Sequence, residues 1–202
     1  MLRLFGEMFV TLFVIMDPPG TIPIFLALTG GLEPRLRNRA AWQAVGVAFA
    51  VIVAFAVGGS QILRYLGIQL PALQGAGGLL LLLVALELLT GRQDDPAQQL
   101  TANVALVPLG TPLLAGPGAI VATILFVRRA EGPLDYVAIA LAIVAIHLVI
   151  YAFLRFSSVI VKVVRPGGIE VITRVAGLLL AAIAVQLVAD SVASFVAHYG
   201  GS

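Results

Sequence analysis

The stretch VIMDPPGTIPIF, residues 14–25, decides how this chain is read. Apolar residues flank it on both sides. Within it sit one acid, three prolines and a glycine: Asp17, Pro18, Pro19, Pro23 and Gly20. Proline removes a backbone donor and clashes with the preceding turn, and glycine lets the chain turn freely. A membrane span carrying this cluster is expected to break in its middle. As a helix, the stretch before the break (residues 4–16) would be ~20 Å long, against a hydrocarbon core of ~30 Å. Neither piece would cross alone.

Outward from that cluster, the chain reads as an integral membrane protein. Of its 202 residues, 60% are hydrophobic and 11% charged, with a mean hydropathy of +1.08. A soluble domain carries roughly 25% charged residues. Six apolar stretches reach the ~20 residues that a span needs. They fall near 4–29, 40–62, 68–90, 103–127, 135–156 and 169–192. Soluble helices would show one polar face, and these are apolar on nearly all sides. Short polar segments separate them, so residues 1–202 are expected to form one all-α, polytopic membrane domain.

The net charge of +2, with no long basic run, argues against nucleic acid as a partner. Cysteine is absent, which excludes disulfides and thiolate metal sites. His147 and His198 match no metal-ligand spacing, and no cofactor is expected. The N-terminus lacks the small-x-small site of a cleaved signal peptide. Orientation follows from Lys and Arg near the segment ends. If segment one starts on side A, that side carries Arg3, Arg64, Arg128 and Arg129. Side B carries Arg35, Arg37, Arg39, Arg92, Arg155, Lys162, Arg165 and Arg174. Side B is then expected in the cytoplasm, with both termini outside.

The chain also repeats itself. PGTI at 19–22 recurs as PGAI at 117–120, and AGGLLLLLVALELL (76–89) resembles AGLLLAAIAVQLV (176–188). The two matches lie at nearly equal separations. Repeat one would span about 4–90 and repeat two about 103–192. Each holds three spans, an odd number, so the second copy must enter the bilayer from the opposite side. An inverted repeat with broken first and fourth segments is expected. Many secondary transporters are built this way, with the substrate site where the breaks meet near the midplane.

Broken ends are costly in lipid and persist only where protein or a watery cavity surrounds them. A half-helix start offers open N–H groups and partial positive charge, which suit a carboxylate. A half-helix end offers carbonyls, which suit an ammonium group or small cation. Two facing breaks could hold both ends of a small zwitterion. A start after Pro19 would expose the amides of Gly20, Thr21 and Ile22. A start after Pro117 would expose those of Gly118, Ala119 and Ile120. Thr21, Thr111 and Thr123 would add hydroxyls. Asp17 is the most telling residue, because a carboxylate deep in a span is costly and functional by default. It could couple transport to a proton or a sodium ion, pair with a substrate amine, or cap the following helix. Its counterpart in the second half is Ala115, so the charge is not duplicated.

Other polar residues read as structural. Glu87 and Gln186 are expected to snorkel at the interface, and His147 to bond a backbone carbonyl. The small residues of LQGAGGLL and VAGLLLAA suggest close helix packing.

DPPGTIPIFLALT, GIQLPALQGAGGLLLLLVALELL, NVALVPLGTPLLAGPGAI and GGIEVITRVAGLLLAAIAVQLV, in this order, resemble the MarC/SnatA family of bacterial and archaeal inner-membrane proteins. The resemblance covers nearly the whole chain. It implies six spans and, in members described as transporters, carriage of small neutral amino acids such as glycine or alanine driven by a proton or sodium gradient. The family's acid–proline break maps onto Asp17 and Pro18, and its AGPG break onto Ala115 to Gly118. Here Pro19 follows Pro18, where the usual pattern has a single proline.

The expected function is therefore secondary transport, with the substrate held by Asp17, Pro19, Gly20, Thr21, Thr111, Pro117, Gly118 and Ala119. Export of another small metabolite or drug is an alternative. A channel would need rings of charge or a carbonyl filter, and a single chain of this kind offers them only as a homo-oligomer. An enzyme is not expected, since Asp17 is the one deep aspartate and no serine has a convincing base. No phosphate-binding loop is present, which argues against ATP-driven pumping.

Overall fold

The computed structural model describes residues 1–29, 31–90 and 114–199. Every described element is an α-helix: α1 (Leu2–Met16), α2 (Pro18–Thr29), α3 (Pro34–Tyr65), α4 (Leu70–Thr90), α5 (Pro117–Arg128), α6 (Pro133–Arg155) and α7 (Ser157–Tyr199). Among the described residues, five stretches are long and apolar enough to cross a membrane. They are Leu2–Leu26, Pro34–Tyr65, Leu70–Thr90, Pro133–Arg155 and Gly167–Ala197, with Gly118–Arg128 as a shorter apolar helix. The fourth expected segment is thus described only over its second part. The chain is a multi-pass, all-helical membrane protein.

Helix boundaries follow local chemistry. Proline opens α3, α5 and α6 in the first turn, where its missing N–H costs nothing. Arg165, inside α7, has φ 61 and ψ 159 and breaks the helical path there. Pro166 follows it, and a residue before proline is pushed out of the helical region.

The first two helices do not lie chiefly on their sequence neighbours. They pack against α6 and α7, while α5 packs against α3 and α4. The most extensive contact joins α4 to α7. Glycines allow it. A methyl group at Gly78 would stand 2.8 Å from the Ala184 carbonyl, and one at Gly177 would stand 3.3 Å from that of Ala85. The Ser191 hydroxyl donates to the Pro71 carbonyl at 2.8 Å across the same seam. Lipid tails are as apolar as leucine, so such close approach, rather than exclusion of water, holds membrane helices together. One buried cluster, from Met8, Leu12 and Met16 through Ala44, Ala119 and Ile146, runs through the middle. Leu83, Leu148 and Leu178 face outward to lipid.

Candidate functional site: two broken spans

The first break is one residue wide. α1 ends at Met16, and Asp17 adopts the left-handed conformation, φ 38 and ψ 67. Its N–H still bonds the Phe13 carbonyl at 3.1 Å. α2 begins at once with Pro18. This corrects the expected start after Pro19. The Thr21 amide bonds the Asp17 carbonyl at 3.1 Å, so it is not free. Ile22 comes a residue later, beyond the open first turn. Prolines fill the first two positions of α2 and carry no N–H. The one amide left open in that turn belongs to Gly20. The same prolines deprive the carbonyls of Val14 and Ile15 of the donors a continuous helix would supply. The first break is therefore rich in oxygen and poor in donors.

Asp17 adds to that imbalance. It is only 6% exposed, and neither carboxylate oxygen has a hydrogen-bond partner among the described residues. A capping bond is not made: Pro19, two positions on, has no proton to give, and the Gly20 N–H one residue later does not complete one. The Gly20 N–H and the Thr173 hydroxyl of α7 adjoin the carboxylate, but neither reaches hydrogen-bonding geometry, and the Thr173 hydroxyl oxygen is itself buried and unpartnered. A side chain at Gly20 would run into the Asp17 carboxylate and come within 3.0 Å of Thr173 Oγ1. Only glycine fits there.

The second break is different. α5 starts at Pro117 after the extended Gly116, φ −63 and ψ 166. The Ile120 amide bonds the Gly116 carbonyl at 3.2 Å, which removes it from the expected set. Gly118 and Ala119, the second and third residues of α5, retain the open N–H positions of the first turn, and both residues are buried. Ala115, at 2% exposed, brings no charge. A methyl at Gly118 would strike Leu81 of α4 and lie 3.4 Å from Ile15 Cγ2 of α1. The start of α5 therefore rests against the last turn of α1, and the two breaks adjoin.

Of the other expected site residues, Thr21 is buried beside Asp17, but its hydroxyl donates to the Pro18 carbonyl at 2.8 Å. The Thr123 hydroxyl likewise donates to Ala119 at 2.7 Å. Both hydroxyls spend their protons on their own helices. Pro19 is buried in the first turn of α2, and the backbone of Pro117 opens α5. Thr111 lies outside the described residues. His147 is held between α3 and α6, its Nδ1 2.7 Å from the Ile143 carbonyl and its ring edge-on to Phe49. Glu87 is exposed, and Gln186 donates to Asp190 at 2.7 Å on an exposed face. Thr173 is the residue that sequence reasoning missed. A hydroxyl four residues before Gly177, within the expected span near 169–192, was its available signal.

A cavity of about 330 Å³ opens between α1, α5 and α7. Arg129, Gln186 and Asp190 supply its polar groups, and Thr11, Ile15 and Ala122 line it farther in. Ile15 is also the residue that touches Gly118, so the cavity reaches toward the second break.

The described residues define a multi-pass membrane protein with a buried carboxylate at the hinge between α1 and α2, beside the start of α5. The family model for the MarC family integral membrane protein matches residues 2–196, and the chain belongs to that family. It is 35% identical over 199 residues to a UPF0056 membrane protein of Methanocaldococcus jannaschii, covering 95% of this chain and 97% of that one. It is 34% identical over 204 residues to a UPF0056 membrane protein of Aquifex aeolicus, covering 96% and 95%. It is 30% identical over 208 residues to the UPF0056 inner membrane protein MarC of Salmonella typhimurium, covering 94% of each. No solved structure matches the chain significantly.

Proposed function

We propose that this protein is a secondary transporter of small neutral amino acids of glycine or alanine size, coupled to a proton or sodium gradient. One observation carries the reading: an oxygen-rich break holding an unpartnered carboxylate adjoins an amide-rich helix start with no charge of its own. A zwitterion presents the matching pair. Its ammonium suits Asp17, Thr173 and the freed carbonyls of α1. Its carboxylate suits the amides of Gly118 and Ala119 at the positive end of α5. A lining of glycine, proline, alanine and threonine, with few aromatic groups to shape a large pocket, suits a small side chain.

Asp17 is sealed in this conformation, so the site must open alternately to each side. The cavity ending at Ile15 is the approach from the face where α5 ends. The packing supports an inverted repeat: α1 and α2 lie on the helices of the second half, while α5 lies on those of the first. The surplus of Lys and Arg supports placing the face on which α3 begins in the cytoplasm, with both termini outside.

The test is reconstitution in vesicles with imposed ion gradients. Labelled alanine or glycine uptake should saturate with concentration and follow a proton or sodium gradient. Uptake that rises linearly, indifferent to either gradient, would indicate a pore and overturn the reading.

A further inference from the structure

A second polar cleft lies far from the breaks, where α3 begins and α6 ends. It holds about 170 Å³ and is lined by Pro34, Arg35, Arg37, Asn38, Leu154 and Arg155. Three arginines thus converge on one small space. Among the described residues none of them forms an ion pair, the pairs found being Arg3–Glu7 and Arg174–Glu170. Glu33, just before α3, makes no capping bond with its side chain. Pro34 lacks an N–H, and the Arg37 amide bonds the Glu33 carbonyl at 2.9 Å. The amides of Arg35 and Leu36 are then the open donors at the positive end of α3. The three guanidinium groups and the two open amides favour an anion; Glu33 and the carbonyl end of α6 oppose it.

The depth of the cleft names the anion's source. Trp42 is 62% exposed on the lipid-facing side of α3, and its ring meets Tyr151 edge-on at 5.6 Å. Tryptophan and tyrosine settle at headgroup level. The Tyr151 hydroxyl donates to Asn38 Oδ1 at 3.0 Å, which ties the aromatic pair to the cleft and leaves the Asn38 NH₂ as a further donor. Asn38 is one helical turn, ~6 Å, farther out than Trp42. The arginines therefore stand at the level of lipid phosphates. Arginine's planar fork matches phosphate oxygens two at a time.

We propose that this cleft binds the phosphate of an anionic lipid headgroup through Arg35, Arg37 and Arg155. The test is native mass spectrometry of the full-length protein, released from detergent after incubation with equal phosphatidylglycerol and phosphatidylcholine. The wild type should retain phosphatidylglycerol preferentially. Arg37→Gln with Arg155→Gln should reduce that preference by about fivefold for each arginine removed. Lysine at both positions should keep part of it. Arg64→Gln, in the cleft on the opposite face, should leave it unchanged. Should the double variant lose helicity, Arg155→Gln alone decides, since that side chain is exposed at a helix end. An unchanged preference in a folded glutamine variant overturns the site. Displacement of the lipid by excess inorganic phosphate would assign the cleft to a soluble phosphate compound and overturn the lipid assignment.

Discussion

The two breaks are alike in sequence and opposite in chemistry. Both put proline at the first position of a half-helix and glycine close behind. At the first, a second proline erases another amide, so a single N–H faces a carboxylate and two stranded carbonyls. At the second, Gly118 and Ala119 keep their amides, and the start of α5 carries no acid of its own. One added proline and one aspartate thus turn the same backbone device from a donor-rich helix start into an oxygen-rich one. The lesson is that helix ends are not interchangeable. What a break can bind depends on how many donors the residues after it still carry.

That contrast can be broken in stages. The largest effect is expected from Asp17→Asn. Asparagine accepts the left-handed conformation well, so the hinge should survive while the charge is lost. Gradient-coupled uptake should fall by about 10- to 100-fold, the worth of a hydrogen bond to a charged group. Intact coupled uptake in vesicles would reduce Asp17 to a structural hinge.

Next come the glycines. Gly118→Ala drives a methyl into Leu81, and Gly20→Ala drives one into the Asp17 carboxylate. Each should cost about 1–3 kcal/mol of stability, read as a lower melting temperature in detergent. Gly31→Ala meets nothing within 4 Å and should be neutral. Equal behaviour of all three would show that the breaks are not tightly built.

Thr173→Val should then weaken substrate binding by about fivefold, the usual worth of one hydrogen bond, with Thr173→Ser retaining most of it. Binding titrations on the purified protein would show this. The smallest effect is expected from Pro19→Ala, which restores one amide to α2 and makes the first break less selective for cations. A change of about two- to fivefold in affinity matches a single contribution from a helix end.

Much of this was legible in the residues. The expected span near 68–90 is α4, Leu70–Thr90, and that near 135–156 is α6, Pro133–Arg155, because a bilayer demands long uniform runs of apolar residues. The break at Asp17 was marked by Pro18, Pro19 and Gly20. Its register was not. Whether the helix restarts at Pro18 or after Pro19 depends on whether Asp17 turns left-handed, a choice made by packing around it. The approach of Thr173 to Asp17 brings together residues far apart in the chain, and no local periodicity signals it. α3 begins at Pro34, not near residue 40, since a helix can continue past the hydrocarbon edge into charged residues that hydropathy excludes.

The most direct measurement is an experimental density map of the full-length protein in lipid with alanine bound. It should show the ammonium about 3 Å from the Asp17 carboxylate and the carboxylate on the amides of Gly118 and Ala119. Unbroken helices through Pro18 and Pro117, or alanine lodged away from both breaks, would contradict the account.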